Sequence, residues 1–233
     1  MSMKEYNKIE TLFNRDLEGS KKLIFGSYRN ETVEFLKDCQ WDFTEKIDGT
    51  NIRVHWDGHK VTFGGRTENA QIPVPLVNKL NEMFGGPVNE ELFEQKFGEM
   101  EVTLYGEGYG PKIAKGGGLY RSDVSFILFD VEVLSPEVGY LYLKREAVED
   151  IAKFFNIDVV PIILTGTLNE GVEYVLKHPK STIGTADMEG LVARPKIEVR
   201  DRLGKRVIVK IKWEDLKEFA SKVDTNQCKL TGF

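Results

Sequence analysis

The heptapeptide at 45–51, Glu-Lys-Ile-Asp-Gly-Thr-Asn, is the stretch of this chain best suited to covalent chemistry. Lys46 follows an apolar, strand-like segment and precedes a sharp Asp-Gly turn, so a rigid element holds its amine in place. A lysine amine that is desolvated, or that lies near other cations, can lose its proton and act as a nucleophile. Taken alone, the heptapeptide fits an ordinary Asp-Gly hairpin with a surface lysine equally well.

Three later stretches carry carboxylates and aromatic rings that could bind a nucleotide. Glu107 stands between two glycines at the end of a predicted strand, where its carboxylate suits a ribose hydroxyl. Phe126 and Phe129 place aromatic rings next to Asp130, and Glu189 stands at the start of another predicted strand. Each also has a simpler interpretation, because phenylalanines usually belong to the core and loop carboxylates are usually solvated.

The segment Val-Ile-Val-Lys-Ile-Lys at 207–212 contains a pair of lysines on one face of a predicted strand. Side chains alternate along a strand, so Lys210 and Lys212 point the same way. Two neighbouring ammonium groups repel each other unless an anion lies between them, and a triphosphate is a natural partner. The same pattern also fits the outer face of an amphipathic edge strand.

Strands and hairpins must position these residues. Residues 51–56 alternate between apolar and polar side chains, and the Asp-Gly pair at 57–58 is a strong hairpin signal. The spacing predicts strands at 51–56, 60–63, 101–105, 125–134, 158–165, 191–193 and 206–213, a glycine-rich loop at 106–118, and helices at 5–13, 76–97 with a break at 85–87, 144–155, 167–177 and 214–222. This order predicts an α+β fold with antiparallel sheets flanked by helices, rather than a doubly wound parallel sheet.

Composition excludes several classes of protein. The chain has 233 residues, of which 41% are hydrophobic and 30% are charged, and these values exclude a wholly disordered or collagen-like protein. Apolar runs such as 126–129 are far shorter than the roughly 18–20 residues of a membrane-spanning helix. Cys39 and Cys228 do not make a disulfide framework, and the polar N-terminus does not predict a signal peptide. We therefore expect a cytoplasmic protein with no membrane partner.

Charge is distributed unevenly along the chain. The formal net charge is −5, yet residues 189–212 hold eight basic and three acidic residues. An acidic body that carries one basic stretch is compatible with binding to nucleic acid. A solvated hairpin with an ordinary charged face fits the same charges.

Taken together and in this order, the stretches resemble the covalent nucleotidyltransferase superfamily of ATP-dependent ligases and mRNA capping enzymes. The closest resemblance is to RNA ligases of the RNA ligase 2 type. The superfamily motif Lys-x-Asp-Gly matches Lys46, Asp48 and Gly49. The following Thr50-Asn51 resembles an RNA ligase, because DNA ligases and capping enzymes usually have x-Arg there.

The remaining superfamily motifs follow in order up to Lys212. An Arg-Thr after the hairpin matches Arg66 and the next residue, and the carboxylate of the third motif matches Glu107. The aromatic residue that stacks on adenine in this family aligns best with Phe126, with Phe129 as a rival. The motif Glu-Gly-x-Val begins at Glu189, and Lys-x-Lys matches Lys210 and Lys212.

The resemblance implies a role for each matched position. A nucleotidyltransferase of the ligase adenylation type (ATP-grasp-like) would form a covalent lysyl-AMP at Lys46, with ATP and Mg²⁺ or Mn²⁺ as cofactors. By this resemblance the catalytic residues are Lys46, Lys210 and Lys212, the nucleotide-binding residues Glu45, Ile47, Asn51, Arg66, Glu107, Phe126 and Glu189, the metal-binding residues Asp48 and Glu189, and the RNA-binding residues Arg66, Arg194, Arg202 and Arg206.

The same resemblance sets expectations for domains and partners. We expect residues 1–233 to form a single nucleotidyltransferase domain, because only 21 residues follow Lys212, where ligases of this type carry a further C-terminal domain. We expect a monomer that joins RNA 5′-phosphate and 3′-hydroxyl ends. Two arrangements stay open, a naturally minimal ligase and a ligase whose accessory domain or subunit is supplied separately. Two other functions stay open: a DNA ligase or GTP-using capping enzyme of the same superfamily, and a nucleotide- or RNA-binding module without catalysis.

Overall fold

The computed structural model describes residues 5–222 and divides the chain into two compact units. The first unit comprises Met1–Asn7 and Asp48–Val160, and the second comprises Lys8–Ile47 and Pro161–Phe233. Each unit has its own sheet and its own hydrophobic core. The predictions for Cys228 concern a residue outside the described range.

The strands in chain order are β1 (Glu10–Thr11), β2 (Phe13–Arg15), β3 (Leu23–Tyr28), β4 (Trp41–Glu45), β5 (Thr50–Trp56), β6 (Val61–Gly64), β7 (Val102–Tyr109), β8 (Ser125–Ser135), β9 (Gly139–Tyr142), β10 (Asp158–Val159), β11 (Ile162–Gly166), β12 (Gly190–Pro195) and β13 (Val209–Lys212). The α-helices are α1 (Glu31–Phe35), α2 (Val74–Phe84), α3 (Pro87–Phe97), α4 (Arg145–Phe154), α5 (Leu168–Leu176) and α6 (Trp213–Leu216). Two 3₁₀ segments, Gly117–Leu119 and Lys217–Lys222, complete the described elements.

The first unit is a six-stranded sheet covered on one face by helices. Its strand order is β10-β8-β7-β5-β6, with β9 paired to β8. Helix α2 buries Leu76, Leu80 and Phe84, which are four residues apart and therefore share one helix face. These side chains pack with the apolar face of β5, β7 and β8 in a single cluster. The opposite face of the same strands carries the polar residues described below.

The second unit contains a five-stranded sheet in the order β1-β13-β12-β4-β11 and a separate two-stranded sheet of β2 and β3. Helix α5 begins with a capping box, in which the Thr167 hydroxyl accepts from the Glu170 backbone and the Glu170 carboxylate accepts from the Thr167 backbone. Gly171 of this helix lies so close to Phe43 of β4 that a Cβ would stand 2.1 Å from the ring. Helix α5 therefore packs closely on the strand that leads to Lys46.

The predicted α+β class with antiparallel sheets is confirmed, with two short parallel pairs among the described strands, β1 with β13 and β10 with β8. The helix predicted at 5–13 is wrong. Residues 5–9 form no regular element, and the chain continues into β1 and β2, which pair with β13 and β3. The strand predicted to end before the glycine-rich loop continues to Tyr109. No helix within residues 5–222 is long and apolar enough to cross a membrane.

Candidate active site

The second unit holds an ion cluster of two lysines around one glutamate. The Lys46 Nζ lies 2.6 Å from Oε2 of Glu189, and the Lys212 Nζ lies 2.8 Å from Oε1 of the same carboxylate. These side chains are 24%, 31% and 18% exposed for Lys46, Lys212 and Glu189, so the cluster is partly shielded from solvent but still accessible. We call these three residues the ion cluster.

Three adjacent strands bring the ion cluster together. Strand β12 lies between β4 and β13, with Leu191 opposite Glu45 and Gly190 opposite Lys212. The Lys46 backbone N–H donates to the Gly190 carbonyl oxygen at 2.9 Å. Gly190 has φ of +153°, and a Cβ there would stand 2.0 Å from a backbone oxygen of β13. A glycine is therefore required next to Glu189 for the strands to approach this closely.

The predicted lysine pair lies on one face of β13, as the alternation requires. Val209 and Ile211 are buried in the core of the second unit, whereas Lys210 and Lys212 are half-buried on the other face. Lys210 pairs in register with Val192 of β12. Placement on a common face is confirmed, and the catalytic roles of both lysines stay predictions.

Glu45 and Ile47, on either side of the nucleophile candidate, are both buried. Glu45 is 1% exposed, and its Oε2 accepts from the Thr182 hydroxyl at 2.6 Å and from the Thr182 backbone N–H at 2.9 Å. Ile47 is 4% exposed. The contact to Thr182 joins residues 137 positions apart, and no sequence pattern indicates it.

The first unit places Asn51 and Glu107 opposite each other on β5 and β7. Glu107 is half-buried, and among the described residues the buried Oδ1 of Asn51 receives no hydrogen bond. The flanking Gly106 and Gly108 belong to the strand, where a Cβ would stand 2.2 Å from the Phe126 ring and 2.3 Å from Leu76. The glycines thus serve close packing on the core face, which turns Glu107 to the other face.

The two phenylalanines of β8 lie in different surroundings. Phe126 is fully buried in the core, with its ring 5.4 Å from that of Phe84 in an edge-on arrangement. Phe129 is half-buried and lies in the irregularity between the pairs Tyr105–Asp130 and Gly106–Leu128. The burial of Phe126 favours its rival Phe129 as the ring that could stack on adenine, and the choice between the two stays a prediction.

Asp48 lies beside a tyrosine that the sequence did not single out. Its backbone N–H donates to the Tyr120 hydroxyl at 3.4 Å, and Tyr120 is 7% exposed. Tyr120 ends the compact loop at 110–120, in which Gly117 lies against the Gly110 carbonyl. The one sequence signal for this contact is that the aromatic residue Tyr120 closely follows the glycine-rich stretch.

Polar residues continue along the same face of the first sheet. Arg53, two residues after Asn51, is 1% exposed and its Nε donates to the Gly65 carbonyl at 2.7 Å. Burial lowers the pKa of His55, which contacts the Thr103 hydroxyl at 2.9 Å. Arg66, by contrast, is exposed just after β6. Arg53 and His55 are therefore enclosed, and Arg66 is available to a ligand.

Some of the basic residues in the segment at 194–206, which we call the basic hairpin, form ion pairs within that segment. Arg206 lies 3.2 Å from Glu198 and its side chain is 11% exposed, and Arg194 is half-buried in β12. Arg202 is exposed at the turn, where Asp201 accepts from the backbone of Leu203. Arg202 is thus better placed for RNA than Arg206, which is already paired and covered.

The predicted metal ligands form no self-contained cage. No group of three or more His, Cys, Asp or Glu side chains within residues 5–222 could by itself hold a metal ion. Mg²⁺ usually takes one or two protein carboxylates together with water and substrate phosphates. Asp48 of the first unit and Glu189 of the second are carboxylates of that kind, and their roles as metal ligands stay predictions.

Solved structures show the same fold. A structure of Naegleria gruberi RNA ligase with ATP and Mn matches with a TM-score of 0.59 at 19% identity, covering 82% of this chain and 54% of that one. A second, with AMP and Mn, matches with a TM-score of 0.55 at 20% identity and the same coverage. This chain thus spans about half the length of those proteins. A search of curated proteins gives no match.

The sheets, their helices and the order of the motifs define a nucleotidyltransferase domain of the ligase type. The family model described as RNA ligase matches residues 40–212, which include every site residue named above. The chain belongs to the RNA ligase family.

Proposed function

We propose that this protein is an ATP-dependent RNA ligase that forms a covalent lysyl-AMP at Lys46. The observation that carries the proposal is the ion cluster, in which the predicted nucleophile Lys46 and the predicted catalytic residue Lys212 both lie within 2.8 Å of the carboxylate of Glu189. Membership of the RNA ligase family supports the reaction class. The Naegleria gruberi structures with ATP or AMP and Mn support the choice of nucleotide and metal.

In the first step the uncharged Lys46 Nζ attacks the α-phosphorus of ATP. A P–N bond forms, the bond to pyrophosphate breaks, and the amine proton leaves to solvent. Covalent catalysis of this kind divides one difficult joining into easier phosphoryl transfers. Lys210 and Lys212 neutralise charge that develops on the α-phosphate and on the departing pyrophosphate.

Other residues bind and orient the nucleotide and the metal. Glu107 accepts a hydrogen bond from a ribose hydroxyl, Phe129 stacks on the adenine in place of Phe126, and Asn51 contacts the nucleotide through its buried amide. Asp48 and Glu189 would hold Mg²⁺ or Mn²⁺, which would supply further charge neutralisation.

In the later steps AMP passes from Lys46 to an RNA 5′-phosphate, and a 3′-hydroxyl displaces it to seal the strand. Arg66 is exposed, and a guanidinium suits the geometry of a phosphate. The basic hairpin contacts strand phosphates chiefly through its exposed cations such as Arg202. An accessory domain or subunit that completes RNA docking is part of this proposal.

The test is incubation with Mg²⁺ and ATP labelled at the α-phosphate, with GTP in parallel, followed by addition of RNA, or of DNA in a separate reaction, with 5′-phosphate and 3′-hydroxyl ends. The expected result is a protein-bound label from ATP only, and joined RNA. A label from GTP alone would point to capping chemistry, and joining of DNA alone would point to a DNA ligase. No label from either nucleotide, with nucleotide binding retained, would leave a binding module.

A further inference from the structure

Strand β8 contains a bulge at the residue proposed to stack on adenine. Phe126 and Leu128 lie in the core cluster of the first unit before the bulge, and Val131 lies in it after the bulge. The core-facing positions therefore change from even to odd numbers, which leaves Phe129 and Asp130 together on the opposite, polar face. Bulges next to active sites often re-aim a side chain in this way. Because the pairing with β7 is interrupted at Phe129, its ring needs support from outside the strand.

The residue that packs over the bulge is Tyr6, which comes from the N-terminal segment of the same unit. Its ring centroid lies 5.1 Å from that of Phe129 in an edge-on arrangement, and 4.9 Å from that of Tyr105 on β7. Its hydroxyl donates to Oδ2 of Asp130 at 2.9 Å. Tyr6 thus contacts both side chains that the bulge turns to the polar face, and also the strand that pairs with them.

The burial of Tyr6 contrasts with the exposure of its neighbours. Residues 5–9 form no regular element, and Glu5 and Asn7 are exposed, whereas Tyr6 is 7% exposed. Asp130, which accepts its hydrogen bond, is 1% exposed. A hydrogen bond to a charged group is stronger than one between neutral groups. The contact therefore holds an irregular segment of the chain against the bulge.

We propose that Tyr6 is a positioning residue that braces the bulge and holds the Phe129 ring where it stacks on the base of the bound nucleotide. A ring that an edge-on neighbour already restrains loses less freedom when a base stacks on it. Tyr105 lies two residues before Glu107 on one strand face, so the brace adjoins the carboxylate proposed to bind the ribose. Tyr6 lies outside residues 40–212, which the family model matches. The inference rests on the proposed use of ATP and adds an N-terminal residue to that site.

The test measures self-adenylylation as the maximal rate and the half-saturating concentration of ATP. Tyr6→Leu removes the ring, and we expect the half-saturating concentration to rise roughly five- to tenfold with little change in the maximal rate, because only an aromatic contact is lost. Tyr6→Phe keeps the ring, so it should lower the urea midpoint of unfolding but leave the half-saturating concentration within about twofold. The matched control is Tyr140→Leu, at a tyrosine of the same sheet whose hydroxyl donates to Glu101 at 2.8 Å, and it should behave as the natural protein.

A double-mutant cycle shows whether Tyr6 acts through Phe129. Phe129→Leu alone should raise the half-saturating concentration of ATP by roughly tenfold. Adding Tyr6→Leu to Phe129→Leu should change it by less than about twofold, because the ring that Tyr6 holds is already absent. A variant that only weakened the fold of the unit would add its full factor in both backgrounds.

Three results would overturn the inference. Tyr6→Leu could leave the half-saturating concentration unchanged, its factor could be the same in both backgrounds, or Phe129→Leu could bind ATP as the natural protein does. The third result does not depend on how a Tyr6 variant folds, and Tyr6→Met, with a flexible side chain and no ring, replaces Tyr6→Leu if that variant is unstable. Were no adduct to form in the natural protein, the proposed function would fail, and calorimetric binding of ATP to the same variants would test the role of Tyr6 separately.

Discussion

Two glutamates of the second unit each bridge a pair of cations, and their surroundings differ. Glu189 joins Lys46 and Lys212 at 2.6 and 2.8 Å and is 18% exposed, whereas Glu198 joins Arg200 and Arg206 at 2.9 and 3.2 Å and is 41% exposed. The first bridge brings together residues 143 positions apart. The second joins residues of one hairpin.

The difference suggests different roles for the two glutamates: Glu189 lies in the proposed active site, whereas Glu198 only holds the basic hairpin together. Exposed ion pairs contribute about 0–1 kcal/mol to stability, so the Glu198 bridge contributes little to the stability of the basic hairpin. The Glu189 bridge gathers two cations whose mutual repulsion only an anion can relieve. A phosphate that enters the ion cluster finds cations already collected, which is the feature that phosphoryl transfer needs.

The largest expected effect is that of Lys46→Ala and Lys46→Arg. Both should abolish ATP-dependent joining, because neither side chain offers an uncharged amine. Both should still seal RNA that already carries AMP on its 5′-phosphate, because that step does not use the lysine nucleophile. The assay is denaturing gel analysis of the two RNA substrates. Equal loss on both would show that Lys46 supports the fold or RNA binding instead.

The comparison of the two bridges is tested by a matched pair, Glu189→Gln and Glu198→Gln. The first should lower self-adenylylation by roughly 10²–10³-fold, because the charge between the lysines and a proposed metal ligand are lost together. The second should stay within about twofold of the natural protein. Initial rates of label transfer measure both. Similar rates for the two variants would show that the Glu189 bridge is no more important for self-adenylylation than the Glu198 bridge.

The lysine pair is tested by Lys210→Ala, with Lys217→Ala as its control. Lys210 lies on the strand face shared with Lys212, and its loss should slow adenylylation by roughly a hundredfold. Lys217 pairs locally with Glu214 on the exposed surface, and its loss should change the rate little. A near-natural rate for Lys210→Ala would mean that the pair is only the polar face of an amphipathic strand.

The smallest effect is expected from the basic hairpin. Replacing the exposed Lys196 and Arg202 with alanine should leave adenylylation unchanged and weaken RNA binding. The slope of log affinity against log salt should fall by about 1.5, because each phosphate contact contributes roughly 0.7–0.9. Arg206→Ala, at a residue already paired with Glu198, should change the slope little. An unchanged slope in the double variant would exclude the hairpin from the RNA interface.

The fold class and the common face of the lysine pair could be predicted for clear physical reasons, whereas only the resemblance grouped Lys46, Glu189 and Lys212, and no pattern predicted their ion pairs. Alternation placed Lys210 and Lys212 on one face of β13, and the spacing of Leu76, Leu80 and Phe84 marked a helix face. Motif order indicated that Lys46 and the lysine pair act together. The first two features follow from the local geometry of strands and helices, and the third follows from the order of the family motifs.

Other features depended on contacts that no spacing encodes. Thr182 reaches Glu45 across 137 residues, and a threonine carries no distinctive signal. Phe126 and Phe129 are an odd number of positions apart, which puts them on different faces but does not say which face is the core. Arg206 was grouped with the RNA-binding cations because the charge count could not show that Glu198 already pairs with it.

The central claim is that Lys46 carries AMP, and mass spectrometry tests it most directly. The protein is incubated with ATP and Mg²⁺, its intact mass is measured, and a digest locates the modification. The account predicts an acid-labile addition of one AMP on the peptide that contains Lys46, and no addition in Lys46→Ala. An AMP located on another residue, or an adduct that persists in Lys46→Ala, would contradict it.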